Sequence, residues 1–178
     1  MISYAITDPS TLDFNHLERD LKRFSQNASM IVYRDKSNGS KHGADFVKEA
    51  KVFDFEKVII HGDPSLAKAI GADGVHLSSL QLDEIAEAKA MHLFVVVSTH
   101  TIEELKKAEA SGADMATFSP IFATPNKGEP VGLEVLGSVT SQVTIPVLAL
   151  GGILTEEQIK ACEKAGASGF ASIRYFGE

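Results

Sequence analysis

The chain has 178 residues, of which 44% are apolar, and this predicts one globular domain, residues 1–178, with a substantial core. Its formal net charge of -7 argues against nonspecific binding to nucleic acid or to an anionic membrane surface. No apolar run approaches the roughly 20 residues that span a bilayer, and residues 1–4 do not resemble the start of a signal peptide. We therefore expect a cytoplasmic protein whose single cysteine, Cys162, is a buried thiol.

Short apolar strands alternate with helical segments from the N-terminus onward. In the first half of the chain, strands are predicted at residues 2–7, 28–33, 58–60 and 74–77, and helices at residues 14–24, 44–51, 64–70 and about 81–91. Asp63 and Pro64 supply an N-cap followed by proline at the first helical position.

Residues 93–122 contain the repeating unit in its clearest form. The run 93–97 is apolar and rich in valine, which is typical of a strand buried on both faces. Thr101 and Glu104 have the spacing of a capping box, so a helix is predicted to follow. Gly112 suits the left-handed position after that helix, and a second apolar run begins at Met115. This is a complete βαβ unit.

The same pattern recurs to the end of the chain. Gly71 and Gly166 also precede a small residue and a new apolar strand, and Thr155 with Gln158 repeats the capping box. After a long loop at 119–132, helices are predicted at residues 133–139 and 155–165 and strands at residues 147–150 and 169–173. Eight strands separated by seven helices favour a closed (β/α)8 TIM barrel with right-handed parallel crossovers.

The chain stops four residues after Arg174, so the barrel is predicted to lack its final C-terminal helix. That absence leaves apolar barrel wall between the first and the seventh helix. Apolar patches of that size usually mark an interface. We therefore expect a homodimer, or a rearranged terminus that covers the wall.

Function in such a barrel is expected at the carboxyl ends of the strands, which meet at one mouth. Cationic and hydroxyl side chains are frequent there in this acidic protein, which indicates an anionic substrate. Gly151 and Gly152 precede a helix, where backbone N–H groups can approach a phosphate, although a tight turn alone also favours glycine. Arg34 and Lys36 alternate after strand two and can hold an anion, unless they form a solvated charge cluster with Asp35.

Three histidines follow neighbouring strands. His100 lies just past strand five, and since a free imidazole has a pKa of about 6.5, it is a candidate for proton transfer near neutral pH. Its alternative is an exposed or helix-capping residue. His61 and His76 are also at strand ends, so a three-histidine metal site is an alternative that no spacing rule supports.

At these positions the sequence resembles the thiamine-phosphate synthase and thiazole tautomerase (TenI-like) superfamily over nearly its whole length. The motifs that carry the resemblance are Tyr4-Ala-Ile-Thr-Asp8, Tyr33-Arg-Asp-Lys36, the segment from Ala69 to Leu77, Ser98-Thr-His-Thr101, the segment from Pro120 to Lys127, and Leu150-Gly-Gly-Ile153. The resemblance implies the same barrel and substrates that carry phosphate. It also implies substrate-binding roles for Arg34, Lys36, Ser98, Thr124, Lys127, Gly151 and Gly152. To these we add His61, Ile173 and Arg174 as candidate binding residues, and Arg174 stands where the family usually has a small residue.

The departures from the synthase pattern concern its magnesium site. The resemblance implies that a synthase joins a pyrimidine diphosphate to a thiazole phosphate and uses magnesium to carry the leaving pyrophosphate. Here the strand-two glutamine of that pattern is Val32, the Asn-Asp pair after strand three is His61-Gly62, and the aspartate after strand four is Gln81. Magnesium prefers carboxylate oxygens, so only Asp63 remains as a weak candidate ligand.

These departures lead us to expect the tautomerase branch. By resemblance, such an enzyme moves a proton on a thiazole phosphate without a cofactor, and His100 is its proton carrier. The alternative is a magnesium-dependent thiamine-phosphate synthase. A third hypothesis, of another class, is a non-catalytic barrel that binds a phosphate ligand in a regulatory role.

Overall fold

A closed barrel of eight parallel strands forms the centre of the molecule. The structure is a computed structural model that describes residues 1–37 and 39–177. Each strand pairs with the next in chain order, and the last pairs with the first. The strands are β1 Ile2–Thr7, β2 Met30–Tyr33, β3 Lys57–His61, β4 Gly74–Leu77, β5 Phe94–Thr99, β6 Met115–Phe118, β7 Val147–Leu150 and β8 Gly169–Ser172. The predicted TIM barrel is confirmed.

Seven α-helices lie between these strands in the described ranges. They are α1 Leu17–Ser25, α2 Gly39–Ala50, α3 Pro64–Ala69, α4 Ile85–Ala90, α5 Ile102–Ala110, α6 Gly132–Thr140 and α7 Glu156–Lys164. The helix predicted at 81–91 is divided, because a 3-10 turn at Leu82–Glu84 precedes α4.

Two helices begin away from their predicted positions. Helix α1 starts three residues late, because the Asp13 carboxylate accepts from the Asn15 amide at 2.9 Å and holds a turn before the helix. Helix α2 starts at Gly39, five residues before the predicted Ala44. The apolar pattern marks only the part of a helix that packs, so polar first turns escape it.

Side chains cap the helices largely as the spacing predicted. Thr155 and Gln158 form a complete capping box at α7. At α5, Thr101 accepts from the Glu104 amide, but the Glu104 carboxylate reaches the amide of His100 at 2.8 Å. The second hydrogen bond of this capping box therefore goes to the amide of His100 instead of the amide of Thr101.

The strands bury two sets of side chains. One set fills the barrel interior, and it consists of Tyr4, Met30, Val32, Ile59, Val96, Met115, Leu148 and Ala171, with partly buried Ile2, Ile6, Phe94 and Leu150 at its edges. The alternate residues of each strand pack outward against the helices. Since inward positions recur every second residue, the next inward side chains towards the mouth are those of His61 and Ser98.

The chain end covers part of the barrel wall that an eighth helix would cover. A 3-10 turn at Arg174–Phe176 follows β8. The Phe176 ring is 5% exposed and stacks on Phe170 of β8 with ring centroids 5.6 Å apart. Among residues 169–177 no α-helix follows β8, as predicted, and the rearranged terminus corresponds to one of the two expected covers. The homodimer stays a prediction.

The described residues include no helix that is both long and apolar enough to cross a bilayer.

Candidate active site

A chain of hydrogen bonds runs from the barrel interior to its mouth. The Tyr4 hydroxyl lies 2.9 Å from Nδ1 of His76, and Nε2 of His76 lies 2.8 Å from the Ser98 hydroxyl. Both His76 nitrogens are thus occupied by partners. Burial, with smaller contributions from the neighbouring His61 and from the charge of Arg34, lowers the pKa of His76 to about 3. The ring is therefore neutral, and it fixes the orientation of Ser98 at the mouth.

His61 lies above this chain, at the end of β3. Its ring centroid is 5.5 Å from that of His76. Burial above all, and then the positive charges of Arg34 and Lys36, lower its pKa to about 4. Both cations follow β2, the strand that neighbours β3 in the barrel. His61 is consequently a neutral hydrogen-bonding group beside two positive charges.

Arg34 and Lys36 follow β2, and a buried carboxylate holds the turn between them. The Asp35 side chain is 2% exposed, and it accepts from the Tyr33 hydroxyl at 2.8 Å and from the Ser37 amide at 2.9 Å. In the ranges that the structure describes, neither Arg34 nor Lys36 forms an ion pair. The solvated charge cluster considered from sequence is not observed, because Asp35 is buried against Tyr33.

The Gly151–Gly152 turn has a backbone conformation that requires glycine. Their φ angles are +108° and +67°, and a Cβ at Gly152 would lie 2.5 Å from the Ala123 carbonyl oxygen. Within the described part of the chain, the amide N–H groups of Gly151 and Gly152 have no hydrogen-bond acceptor. They are therefore available to an anion at the mouth.

The end of β8 joins this turn. The Ser172 hydroxyl donates to the Ile153 carbonyl at 3.1 Å and accepts from the Tyr175 amide at 3.1 Å. Ile173 and Arg174 follow directly, and both side chains are exposed. The structure thus brings together the turns after β7 and β8, where barrels commonly bind phosphate.

The long loop between β6 and α6 carries Thr124 and Lys127. The Thr124 hydroxyl donates to the Phe122 carbonyl at 3.1 Å, so it is held within the loop. Lys127 is exposed, and it has no ion-pair partner among residues 1–37 and 39–177. The loop packs on the glycine turn, since the Phe122 amide donates to the Gly151 carbonyl at 3.0 Å.

His100 is exposed and lies at the rim. Its Nδ1 is 3.1 Å from the Ser119 carbonyl oxygen and 3.2 Å from the Ser119 hydroxyl. A carbonyl oxygen only accepts, so Nδ1 carries the proton in this contact and Nε2 is left for a ligand. His100 is not part of the Tyr4–His76–Ser98 chain, and the structure does not bring it into a cluster with His61 and His76 that resembles a metal site.

The residues present do not fit a magnesium site. Gln81 is committed to structure, because its amide accepts from Ser78 at 3.0 Å and donates to the carbonyl of Gly62 at 2.8 Å. The Asp63 carboxylate accepts from the Leu66 amide at 3.0 Å as the N-cap of α3. No group of three or more histidine, cysteine, aspartate or glutamate side chains in the described chain is arranged to hold a metal ion.

Sequence reasoning missed Tyr4 and Thr117. Tyr4 lies between Ile2 and Ile6 on the inward side of β1, and nothing in the sequence indicates that its hydroxyl meets His76. Thr117 of β6 pairs in register with Ser98 of β5. The buried Thr117 hydroxyl has no partner among the described residues. Strand alternation can mark which positions face inward, but it does not show the partners across the barrel.

Comparison with known proteins decides the family. The family model described as "Thiamine monophosphate synthase" matches residues 3–176. The chain belongs to this family. It is 37% identical to "Putative thiamine-phosphate synthase 2" of Aquifex aeolicus over 98% of this chain and 97% of the relative. It is 31% identical to "Thiamine-phosphate synthase" of Syntrophomonas wolfei over 96% and 85% of the two chains.

A solved member of the thiamine monophosphate synthase family has the same barrel. "Thiamine phosphate pyrophosphorylase" from Pyrococcus furiosus superposes with a TM-score of 0.80 at 27% identity, over 97% of this chain and 85% of that one. The resemblance to the superfamily is confirmed, and so is a place in thiamine biosynthesis.

The preference for a tautomerase over a synthase was wrong. These relatives, and one from Bacillus velezensis that is 34% identical, are all named as synthases or as the equivalent pyrophosphorylase. The preference rested on missing magnesium ligands. Those positions concern how a diphosphate is held, and they do not identify the bond that is made.

His61 should make the free energy of unfolding depend on pH below neutrality. Its folded pKa of about 4 is lower than the unfolded value of about 6.5. Its contribution to stability is therefore complete above pH 6.5 and is lost as the pH falls towards 4, because the unfolded chain binds the proton first. In His61→Asn, we expect the loss of unfolding free energy between pH 6.5 and 4.5 to be smaller by about 1–2 kcal/mol.

Urea titrations at a series of pH values measure this difference. The matched control is His92→Asn, which replaces an exposed histidine in the turn before β5. Equal pH profiles for the His61 variant and the unmodified protein would contradict the neutral state assigned to His61.

Proposed function

We propose that this barrel is a thiamine-phosphate synthase, a transferase that joins a pyrimidine diphosphate to a thiazole phosphate. The observation that carries the proposal is that cationic side chains or unpaired backbone amides lie in two separate regions at one mouth. One contains Arg34 and Lys36 after β2, and the other contains the turns after β7 and β8. Strand β1 separates them on the shorter way around the barrel. Two regions suit two substrates that each carry phosphate groups.

The first region is assigned to the diphosphate. Arg34 presents a planar fork and Lys36 a compact charge, and neither is neutralised by an ion pair in the described structure. Thr124 and Lys127, on the loop after β6, supply a further hydroxyl and a further cation. The second region is assigned to the thiazole phosphate, which accepts from the amides of Gly151 and Gly152 and from the backbone at Ile173, with Arg174 beside it.

Between the two regions, neutral polar groups are available for the pyrimidine ring. Ser98 is oriented by His76, and His61 stays uncharged because burial and two neighbouring cations lower its pKa. Neutral donors and acceptors suit the ring nitrogens and amino group of an aminopyrimidine.

The reaction follows from this arrangement. The thiazole nitrogen forms a bond to the methylene carbon of the pyrimidine substrate, and the carbon–oxygen bond to the diphosphate breaks with its electron pair on the leaving oxygen. Arg34 and Lys36 stabilise the charge that develops there. No proton is transferred in this step, because the thiazole nitrogen becomes a positively charged ring nitrogen.

His100→Ala should therefore have a small effect. The ring lies at the rim and no proton transfer requires it, so we expect kcat/KM to fall less than about 10-fold, whereas loss of a general acid–base typically costs 10²–10⁴-fold. Steady-state rates of coupling measure this. Ser98→Ala is the comparison, and it should cost more. A fall of 100-fold or more for His100→Ala would return a proton-transfer role to this residue.

The direct test is coupling by the purified protein. We expect pyrimidine diphosphate and thiazole phosphate to yield thiamine phosphate and pyrophosphate in equal amounts. Binding of both substrates without product, under all metal conditions, would favour the non-catalytic binding barrel. Calorimetry with each substrate separates that outcome from a failure to bind.

A further inference from the structure

We infer that the mouth binds a diphosphate directly through Arg34 and Lys36, without a bridging divalent metal ion. This rests on the proposed function for the identity of the ligand. It departs from the magnesium-carried pyrophosphate that the sequence resemblance implies. The inference concerns binding, so a binding measurement decides it independently of catalysis.

The positive charges of Arg34 and Lys36 follow β2, and the carboxylate between them does not shield them. The two residues have a two-residue spacing, in line with the inward-facing Val32. The Arg34 amide donates to the Thr7 carbonyl at 2.9 Å. The carboxylate between them is turned away, because Asp35 accepts hydrogen bonds from Tyr33 and Ser37 and is buried. A cationic pair held in this way favours a ligand with several negative charges.

In the described chain, the positions at which the resemblance implies magnesium ligands have no carboxylate, and the neighbouring Asp63 is committed elsewhere. Gly62 has no side chain, and its carbonyl oxygen already accepts from Gln81. The Gln81 amide also donates to the Glu84 carboxylate at 3.0 Å. Asp63 caps α3 from an exposed position. Magnesium gives up its water reluctantly and is normally held by one or two carboxylates together with phosphate oxygens.

The direction in which magnesium changes the affinity for pyrophosphate follows from this charge. In solution, a bound magnesium ion neutralises two negative charges of pyrophosphate. A site made of cations attracts that complex less strongly than the free anion. A site that holds its ligand through a metal ion shows the opposite behaviour and binds more tightly as magnesium is added.

Calorimetric titration of the full chain with inorganic pyrophosphate tests this, first in EDTA and then at rising magnesium concentrations. We expect binding in EDTA and unchanged or weaker binding with magnesium. Arg34→Gln should weaken binding in EDTA by about 10- to 100-fold, since it removes charge-assisted hydrogen bonds. Asp63→Asn is the matched control: it keeps the capping oxygen and removes the charge of the candidate metal ligand, and it should change neither titration.

Three results would overturn the inference: no pyrophosphate binding in EDTA, binding that tightens tenfold or more with magnesium, or binding that Asp63→Asn abolishes. The coupling assay reports separately on the proposed function. Pyrophosphate binding in EDTA without thiamine phosphate formation under any metal condition supports the inference and overturns the transferase. Coupling that occurs only with magnesium supports the transferase and overturns the inference.

Discussion

Replacing Gly152 by alanine is expected to weaken the binding of thiazole phosphate by about 100-fold or more while the barrel stays folded. The new Cβ would lie 2.5 Å from the Ala123 carbonyl oxygen and 2.9 Å from the Phe122 Cβ. Neither is the end of a flexible side chain, so the loop after β6 has to move. That loop packs on the glycine turn, and its movement shifts the amides proposed to hold the phosphate. Loss of two or three hydrogen bonds to a charged group accounts for the magnitude.

Gly71→Ala is the control for this change. Gly71 also has a positive φ, +78°, but a Cβ there meets nothing within 4 Å. It therefore reproduces the backbone strain, about 1–2 kcal/mol, without the collision. Calorimetry with thiazole phosphate and thermal unfolding of both variants separate the two effects. Equal affinities for Gly152→Ala and the unmodified protein would remove this turn from the phosphate site.

The fold was predictable because the sequence patterns that specify its strands, helices and turns are local. Each strand is a short apolar run, each helix is short, and glycines with positive φ at Gly71, Gly112 and Gly166 follow three of the helices. Such units permit only parallel strands with right-handed crossovers, and eight of them close into a barrel. The position of the mouth then follows from topology alone.

The contacts across the barrel were not predictable in the same way. The pairing of Tyr4 with His76 joins residues 72 positions apart, and no local pattern encodes it. The burial of Asp35 is similar, since its sequence neighbours Arg34 and Lys36 indicate an exposed charge cluster. Gln81 shows a further limit: sequence identifies it as a replaced ligand, but only the structure shows that its amide joins the loops after β3 and β4.

The choice between reactions failed for a related reason. Positions that bind a metal ion describe one way of holding an anion, and protein cations provide another. The loss of metal ligands does not remove the need for protein cations that hold the anion. Arg34, Lys36 and Lys127 remain at the mouth, and they are consistent with a diphosphate substrate.

Replacing Phe176 by alanine is expected to lower the free energy of unfolding by about 3 kcal/mol, near the lower end for a buried phenylalanine because the residue lies close to the chain end. Phe176 stacks on Phe170, and the Tyr175 ring meets both edge-on, at centroid distances of 5.1 and 5.2 Å. These three rings cover part of the wall of β8 in place of a helix. Urea unfolding measures the loss.

Tyr175→Phe is the matched control for the Phe176 variant. It keeps the ring and removes only a hydroxyl that donates to the exposed Glu156 side chain at 3.1 Å. The free energy of unfolding should therefore fall by less than about 1 kcal/mol. If these rings shield the apolar wall of β8 from water, Phe176→Ala should also expose apolar surface and promote self-association, which light scattering detects. A Phe176→Ala variant as stable as the unmodified protein would show that the terminal turn does not stabilise the barrel. The wall would then need another cover, and the predicted homodimer is the arrangement that supplies one.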